Sequence, residues 1–281
     1  MLSYRHAFHA GNHADVLKHL VLVELLTYLT DKDKRLCYID THAGAGMYAL
    51  QEGFAAQRRE FEDGIGRLWA ADRPPAALLP YLELVRRANP DRALRMYPGS
   101  PWFAQALTRD SDRLWFCELH PTDHQALVAR FASDDQRIQV TRNDGYAELR
   151  RLLPPEPRRA LVMIDPSYEL AMDYARLVEA VRDSLTRFAA GVYAIWYPLL
   201  RNREADRLPA RLRKAGASRW LDVRLVVRSR TGTRAGLYGS GVYVINPPYT
   251  LPAMLETLMP RLVELLGQDD KAGFELDFRI P

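Results

Sequence analysis

The feature that most constrains this fold is a run of five apolar residues that ends at an aspartate and a proline. Residues 160–164 read Ala-Leu-Val-Met-Ile. Such a run is typical of a strand that is buried on both faces of a parallel sheet. Pro166 lacks an N–H and disfavours helix at the residue before it, so we expect the strand to end at Asp165. Because open α/β sheets bind ligands at the carboxyl ends of strands, Asp165 is a candidate functional residue.

Two neighbours extend this candidate site. Tyr168 follows two residues after the proline, so we expect its ring to lie beside the acid. The carboxylate of Asp165 and the carbonyl of Pro166 are both hydrogen-bond acceptors. Together with an aromatic face, they can hold an amino group that is attached to a flat ring.

Composition indicates one large folded α/β domain with room for an insertion. The chain has 281 residues, of which 48% are hydrophobic. Its net charge of +4 permits a nucleic-acid partner without requiring one. Cys37 and Cys117 lie in separate predicted strands, so we expect buried, reduced thiols. No apolar run reaches the roughly 18 residues of a membrane span, and the N-terminus has no signal-peptide core, which predicts a soluble cytoplasmic protein.

The N-terminal stretch combines a helix start with an unusual cluster of side chains. Asn12 can cap a helix that runs from about His13 to Thr30. Before it, Tyr4, Arg5 and Phe8 form a cationic and aromatic cluster that could stack on bases. The alternative is a tail that packs on the body of the protein.

Histidines are concentrated in the same stretch. No cysteine accompanies them, and no carboxylate stands at a familiar ligand spacing, so we expect no metal site. Contact with solvent or with a ligand is the favoured interpretation. The four histidines are His6, His9, His13 and His19.

Three further segments place polar groups at strand ends. The predicted strand 36–40 runs into the small-residue loop 41–46, which lets backbone approach a ligand. The strand 114–118 ends in Glu118, whose carboxylate can bind the hydroxyls of a ribose. After the strand 138–142, Asp144 can accept from the amino group of an adenine. These groups suit S-adenosylmethionine, with its methionine part at the first loop.

The remaining segments complete a Rossmann-like α/β sheet. Further strands are predicted at 191–197, 221–227 and 241–245. Residues 48–97 contain no strand-like run, so we expect a helical insertion subdomain there. The domain that binds S-adenosylmethionine would then comprise residues 1–47 and 98–281.

A basic segment offers a candidate contact for nucleic acid. Residues 228–236 form a glycine-punctuated loop with three arginines, and an arginine-rich helix is predicted at 201–215. This loop composition is typical of a contact with a phosphate backbone. An ordinary solvated hairpin loop is the alternative.

Several motifs together resemble one known family. Residues 165–168, Asp-Pro-Ser-Tyr, resemble the Asp/Asn-Pro-Pro-Tyr/Phe motif of amino methyltransferases that act on N6 of adenine. Five more segments resemble the bacterial 23S ribosomal RNA adenine-N6 methyltransferase J family, a likeness that covers essentially the whole chain. They are residues 4–19 (YRHAFHAGNHADVLKH), 40–46 (DTHAGAG), 97–101 (YPGSP), 118–121 (ELHP) and 196–198 (WYP).

The resemblance implies a class I methyltransferase sheet, mostly parallel with its last strand antiparallel, and assigns residues. Asp165 would be catalytic, with Pro166 and Tyr168 beside it. Tyr4 would approach the substrate adenosine, with Arg5 and His6 also on the RNA. The residues implied around S-adenosylmethionine are Lys18, His19, His42, Ser100, Glu118, Asp144, Gly145 and Asp165.

Two details of the motifs matter for this assignment. The family usually has a second proline where this chain has Ser167, and we expect the same turn with more flexibility. Asn246-Pro247-Pro248-Tyr249 matches the adenine-methyltransferase pattern better by letters. We nevertheless place the site at Asp165, because an antiparallel last strand would put Asn246 at the opposite edge of the sheet.

The sequence therefore predicts a monomeric enzyme that methylates N6 of one adenosine in 23S ribosomal RNA, without metal or membrane. Two alternatives stay open. One is a DNA adenine-N6 methyltransferase with the same chemistry, and the other is a catalytically weakened RNA-binding protein of methyltransferase fold. A small-molecule methyltransferase is a weaker third, since it would leave the basic loop and the N-terminal aromatic cluster without a purpose.

Overall fold

Strands and helices alternate along most of the chain. The computed structural model describes residues 5–132, 135–231 and 236–280. The strands of these ranges are β1 (Cys37–Asp40), β2 (Met47–Ala49), β3 (Met96–Pro98), β4 (Arg113–Cys117), β5 (Ile138–Thr141), β6 (Ala160–Ile164), β7 (Val192–Leu199), β8 (Trp220–Val226), β9 (Gly239–Ile245) and β10 (Gly273–Arg279). The α-helices are α1 (His13–Asp31), α2 (Gly53–Arg58), α3 (Ile65–Trp69), α4 (Leu79–Arg87), α5 (Ser100–Leu107), α6 (Pro121–Phe131), α7 (Gly145–Leu152), α8 (Ala171–Arg187), α9 (Arg203–Arg213) and α10 (Leu251–Leu266).

Eight of these described strands form one sheet in the order β10-β8-β9-β7-β6-β1-β4-β5. The five strands from β5 to β7 run parallel to one another. β9 is antiparallel to both β7 and β8, and β10 is antiparallel to β8. The Rossmann-like, mostly parallel sheet and the antiparallel strand over 241–245 are therefore confirmed. β10 was not predicted, although Phe274, Leu276 and Phe278 alternate as in a half-exposed edge strand.

The central strand β6 is buried on both faces, as its apolar run predicted. All five of its residues are buried. Leu161 and Met163 join the hydrophobic cluster that includes α1, α5 and α10, whereas Val162 and Ile164 join the cluster that includes α8 and α9. Side chains alternate along a strand, so one strand supplies both layers. Its carboxyl end is thereby held between two packed helical layers.

Helix α1 begins where the sequence predicts. The Asn12 side chain accepts hydrogen bonds from the N–H groups of Ala14 and Asp15, at 2.9 and 3.1 Å. The helix is buried nearly all round, and its buried residues include Asp15 and Lys18. A helix with apolar residues on every side is typical of a protein interior. Within the described ranges, no helix is long and apolar enough to cross a membrane.

The insertion is less regular than the sequence suggested. Its first helical part is divided into α2, a 3₁₀ turn at Glu60–Asp63, and α3. α2 is followed by Arg59, whose backbone is left-handed with φ of 53°. Gly64, just before α3, lies against the residues that precede α1, since a Cβ there would stand 2.1 Å from the Gly11 carbonyl oxygen. β2 and β3 pair at the base of the insertion, which corrects the expectation that it contains no strands. Insertion residues such as Ile65 share a hydrophobic cluster with α1, and the boundary at 48–97 stays a prediction.

Both cysteines are buried free thiols in the described structure. Cys37 belongs to β1 and Cys117 to β4. Burial raises the pKa of each thiol to about 12. At neutral pH both are therefore protonated, and they act as small packing residues.

The second proline motif lies at the edge of the sheet opposite Asp165. The preceding residue, Ile245, pairs with Tyr193 near the start of β7. Asn246 has a left-handed backbone with φ of 54°, and its side-chain amide donates to the carbonyls of Ala189 and Gly191, at 2.8 and 2.7 Å. Through these two hydrogen bonds, Asn246 anchors the residues that precede β7.

We expect Asn246→Ala to lower the free energy of unfolding by about 2–3 kcal/mol, because two hydrogen bonds are lost and alanine resists a left-handed backbone. Asn246→Gly should recover about 1 kcal/mol of this loss, since glycine tolerates positive φ. Urea denaturation of the three proteins measures both values. Equal stability of the alanine variant and wild type would contradict this role.

Candidate active site

A cavity of about 580 Å³ opens at the carboxyl edge of the parallel strands. Its walls include the loop after β1, the end of β4, the start of α7 and the end of β6. The structure brings together in its lining every residue implied for the cofactor. These are Lys18, His19, His42, Ser100, Glu118, Asp144, Gly145 and Asp165.

Glu118 joins two loops at the rim of this cavity. One carboxylate oxygen accepts from the Gly44 N–H at 2.8 Å, and the other accepts from the His120 N–H at 2.6 Å. Burial raises the pKa of Glu118, although these backbone hydrogen bonds act in the opposite direction. Each carboxylate oxygen can accept a further hydrogen bond, so the group can still bind a diol.

Asp144 is tied to its surroundings more firmly than the sequence suggested. Its Oδ1 caps α7 by accepting from the N–H groups of Tyr146 and Ala147, at 2.9 and 3.1 Å. Its Oδ2 accepts from the Arg176 guanidinium at 2.9 Å. An aspartate just before a helix is a common N-cap, which is the signal that could have revealed this role. The residue can meet an adenine amino group only through its remaining lone pairs.

Gly145 permits the close approach of α7 to the first loop. A Cβ at this position would lie 2.1 Å from the carbonyl oxygen of Thr41 and 2.6 Å from its Cβ. Carbon atoms pack no closer than about 3.5 Å without strain. Only glycine fits here without moving the loop that carries His42.

Asp40 organises the floor beneath the first loop. It is fully buried and accepts from the Tyr38 hydroxyl at 2.9 Å and from the His42 N–H at 3.3 Å. Burial raises its pKa to about 6, against the effect of hydrogen bonds from Ser100 and Tyr38. Ser100 is the first residue of α5, whose N-cap is Gly99. The Ser100 hydroxyl forms a hydrogen bond with the Asp40 carboxylate.

Two buried imidazoles face the cavity in neutral form. Burial lowers the pKa of His42 to about 4 and holds the pKa of His19 well below its usual value. His19 Nδ1 lies 2.8 Å from the Tyr97 hydroxyl. Among the described residues, its Nε2 has no hydrogen-bond partner. That nitrogen is available to a polar group of a ligand.

A chain of charged groups connects α1 to Asp165. His6 Nε2 lies 3.0 Å from Asp15 Oδ2, and Asp15 Oδ1 lies 2.7 Å from Lys18 Nζ. Lys18 Nζ then donates to Asp165 Oδ2 at 2.6 Å. The side chain of Lys18 is 5% exposed and that of Asp165 is 15% exposed. The ion pair is therefore largely shielded from water.

Opposite charges keep Asp15 and Lys18 ionised despite their burial. Burial alone would lower the pKa of Lys18, but Asp15 and Asp165 beside it raise the pKa above its usual value. Burial would likewise raise the pKa of Asp15, yet His6 and Lys18 hold it well below the usual range. Asp15 and Lys18 are three residues apart, so α1 presents both on one side. This ion pair to Asp165 could not be found from sequence, because 147 residues separate its partners.

A second cavity, of about 470 Å³, meets the first at Asp165. The residues that line both cavities are His6, Lys18, Asp165 and Ser167. Beyond this common wall, the second cavity is bounded by Trp196, Pro198, Arg58 and Arg228. Within the described ranges, Trp196 Nε1 has no hydrogen-bond partner. Asp165 therefore separates two chambers of ligand size.

Tyr168 does not have the position expected from the sequence. Its side chain is 6% exposed and lines neither cavity. Its hydroxyl donates to the Trp196 carbonyl at 2.6 Å, and its ring packs 4.7 Å from that of Tyr174. The backbone φ of 52° turns the ring away from the acid into the core. The aromatic ring that borders the second cavity belongs to Trp196.

The N-terminal cluster packs on the insertion. Tyr4 lies outside the described residues. The Arg5 guanidinium lies 5.0 Å from the centre of the Phe54 ring, and the Phe8 ring lies 4.6 Å from it. Arg5 and Phe8 thus fit the alternative of a tail packed on the body, whereas His6 borders both cavities.

The other N-terminal histidines have local contacts. His9 Nδ1 lies 2.9 Å from a Glu60 carboxylate oxygen, and burial lowers the pKa of His13 to about 4. Over residues 5–132, 135–231 and 236–280, no group of three or more His, Cys, Asp or Glu residues could hold a metal ion.

The fold and the first cavity together define a class of protein. A mostly parallel sheet with an antiparallel strand carries, at its carboxyl edge, a chamber of ligand size with a strand-end carboxylate. The Glu118 carboxylate can accept from the hydroxyls of a ribose, and the loop 41–46 lets its backbone approach a methionine part. The neutral imidazoles offer polar groups to an adenine. This arrangement is that of a class I S-adenosylmethionine-dependent methyltransferase.

Comparison with known proteins gives the family. The model of the family described as ribosomal RNA large subunit methyltransferase D, RlmJ, matches residues 33–280. Ribosomal RNA large subunit methyltransferase J of Escherichia coli is 43% identical over 93% of each chain, and that of Haemophilus influenzae is 40% identical over 100% of each. A crystal structure of a Legionella pneumophila protein, 33% identical, superposes with a TM-score of 0.88 over 96% of this chain and 98% of that one. The chain belongs to this RlmJ family, which confirms the resemblance read from its motifs.

We expect Gly145→Ala to weaken S-adenosylmethionine binding by about tenfold and to lower the free energy of unfolding by about 1–3 kcal/mol, because the new methyl group displaces the Thr41–His42 loop. Isothermal titration calorimetry and urea denaturation measure the two effects. Gly273→Ala is the control, since a Cβ there meets nothing within 4 Å. Unchanged binding by the Gly145 variant would contradict the close approach.

Proposed function

We propose that this protein transfers a methyl group from S-adenosylmethionine to N6 of one adenosine in 23S ribosomal RNA. Methylation of large-subunit ribosomal RNA is supported by membership of the family. The observation that carries the N6 assignment is the position of Asp165. Its carboxylate borders the first cavity on one side and the second cavity on the other.

The first cavity holds the methyl donor in this proposal. Glu118 binds the ribose hydroxyls, and the loop 41–46 accommodates the methionine part. His19 Nε2 and the free lone pairs of Asp144 are further polar contacts. When bound, S-adenosylmethionine supplies an electrophilic methyl group on a sulfonium.

The second cavity receives the acceptor adenine. The target base must leave its stack before an enzyme can reach its amino group. Trp196 and Pro198 offer an apolar wall on which a flat ring can lie, and the cavity volume falls within the usual range for ligand sites. Tyr168 contributes indirectly, since its hydroxyl holds the backbone of Trp196.

Asp165 and Pro166 act on the amino group itself. The N6 lone pair is delocalised into the adenine ring, which makes N6 a poor nucleophile. If the Asp165 carboxylate and the Pro166 carbonyl accept the two N6 hydrogens, the nitrogen can pyramidalise and direct its lone pair at the methyl carbon. Such positioning supplies several kcal/mol. Asp165 also stabilises the positive charge that develops on N6 and takes the proton that N6 loses.

Lys18 is a positioning residue for this carboxylate. Its ammonium group lies between Asp15 and Asp165, at 2.7 and 2.6 Å, and so fixes one oxygen of Asp165. The other oxygen is left for the amino group. A polar group that is already oriented before the reaction stabilises developing charge without reorganisation.

We further propose that the enzyme works as a monomer in the bacterial cytoplasm. In this proposal the donor cavity, the acceptor cavity and the Asp165 carboxylate between them are contributed by the same subunit. Ribosomal RNA is a cytoplasmic substrate in bacteria.

The proposal is tested by incubating the protein with labelled S-adenosylmethionine and undermodified 23S ribosomal RNA, followed by digestion to nucleosides. We expect label in N6-methyladenosine. Asp165→Asn should reduce it by about 100-fold or more, because the carboxylate that accepts from N6 and takes its proton is lost. Asn246→Ala is the control and should keep near-normal activity. Labelling that survives in the Asp165 variant and disappears in the Asn246 variant would overturn the site assignment.

We expect Tyr168→Phe to lower the single-turnover methylation rate by about fivefold, because loss of a buried hydrogen bond of about 1 kcal/mol loosens the turn after Asp165 and the backbone of Trp196. Affinity for S-adenosylmethionine should not change, since Tyr168 lines neither cavity. Tyr174→Phe is the matched control, as its hydroxyl makes only a 3.5 Å contact with Asn202. Equal rates for both variants would refute a positioning role for Tyr168.

A further inference from the structure

Helix α9 presents three cations along one exposed side. Arg203, Arg207 and Lys214 are exposed, and their spacing of four and seven residues aligns them on one side of the helix. The opposite side, which includes Ala205, Leu208 and Leu212, is buried in the core. We call Arg203, Arg207 and Lys214 the basic stripe.

The positive charges of the basic stripe are not neutralised within the described ranges. There, none of the three residues of the stripe forms an ion pair. The two acids of α9 are paired elsewhere: Glu204 with Arg211 at 2.9 Å, and Asp206 with Arg230 at 2.7 Å. Because each acid is already paired with another arginine, neither acid fully neutralises the positive charge of the stripe. Exposed cations that are not needed for folding are available to an anionic partner.

The sheet register places the start of this stripe at the edge that bears the active site. β7 runs parallel to β6, so both strands end at the same edge. β7 ends at Leu199, the next residue, Leu200, borders the second cavity, and α9 begins at Arg203. The stripe therefore starts close to the second cavity and runs down the side of the domain.

A second segment bridges the cavity and the helix. Arg228, at the end of β8, borders the second cavity. Two residues later, the Arg230 guanidinium is bound to Asp206 of α9 by two contacts, at 2.7 and 3.2 Å. This pair fastens the described start of the basic loop to α9. The segment from Arg228 to Arg230 thus connects the wall of the second cavity to the helix that bears the basic stripe.

We propose that the basic stripe binds the phosphodiester backbone of the ribosomal RNA strand that flanks the target adenosine. The inference rests on the proposed function, because it assumes that the adenine occupies the second cavity. An extruded base leaves its flanking phosphates at the mouth of that cavity, close to Arg203 at the start of the stripe. The 11 residues of α9 extend about 16 Å, which is long enough to meet more than one phosphate.

Chemistry favours RNA backbone over other partners. The stripe contains no exposed aromatic or large apolar side chain, so it offers no apolar platform for stacked bases. Arginine binds phosphate through two parallel N–H groups. Contacts of this kind position an RNA without reading its sequence, and they add to the salt dependence of binding.

The test measures binding of undermodified 23S ribosomal RNA to protein saturated with S-adenosylhomocysteine, over a series of salt concentrations. For Arg203→Gln combined with Arg207→Gln, we expect the negative slope of log affinity against log salt to become shallower by about 1.5. Each lost phosphate contact reduces the magnitude of this slope by about 0.7–0.9. The charge reversals Arg203→Glu and Arg207→Glu should weaken binding further.

A control variant removes the same charge elsewhere. Arg130 lies at the end of α6, and Arg113 lies at the start of β4, at the edge of the sheet opposite the two cavities. Both are exposed. Arg130→Gln combined with Arg113→Gln should leave the salt slope unchanged, because neither residue lies near the second cavity or the basic stripe.

The outcomes separate this inference from the proposed function. A reduced slope for the stripe variant alone, with unchanged cofactor affinity and unchanged turnover at saturating RNA, supports the inference. An unchanged slope, or an equal reduction in the control variant, overturns it even if wild-type protein forms N6-methyladenosine. Absence of N6-methyladenosine in wild type would overturn the proposed function instead, since the slope is measured without turnover.

Discussion

The ion pair between Lys18 and Asp165 is the interaction on which the site depends. It joins the second turn of α1 to the end of the central strand β6, at 2.6 Å and largely away from water. Removing one partner of a buried pair is costly because the other charge is left unpaired. Asp15 reduces this problem by sharing the ammonium group. The network therefore holds the helix, the strand end and the reactive carboxylate in one arrangement.

This network also explains why polar residues occupy the interior of α1. A helix buried on every side would ordinarily be apolar throughout. Here Asp15, Lys18 and His19 are buried at its start, where the strands end and the two cavities meet. The buried residues that follow, from Leu20 to Leu29, are apolar and join the main hydrophobic cluster. One element thus supplies both the core of the domain and the wall of its site.

The sequence predicted local features well and long-range contacts poorly. The Asn12 cap and the burial of β6 follow from local chemistry, and the structure has both. The strand-end acids also converge, since parallel strands bring their ends to one edge. The predicted position of the Tyr168 ring is wrong, because a left-handed backbone turns the ring into the core. The Lys18–Asp165 pair was missed, as no local pattern signals a contact between distant segments.

The central claim is that Asp165 receives the acceptor amino group between two cavities. The most direct measurement is a crystal structure with a bisubstrate analogue, in which a short linker joins N6 of adenosine to the sulfur position of S-adenosylhomocysteine. We predict the donor nucleoside beside Glu118, the acceptor adenine against Trp196, and N6 within hydrogen-bonding distance of Asp165. An acceptor adenine bound elsewhere, with N6 away from Asp165, would contradict the account.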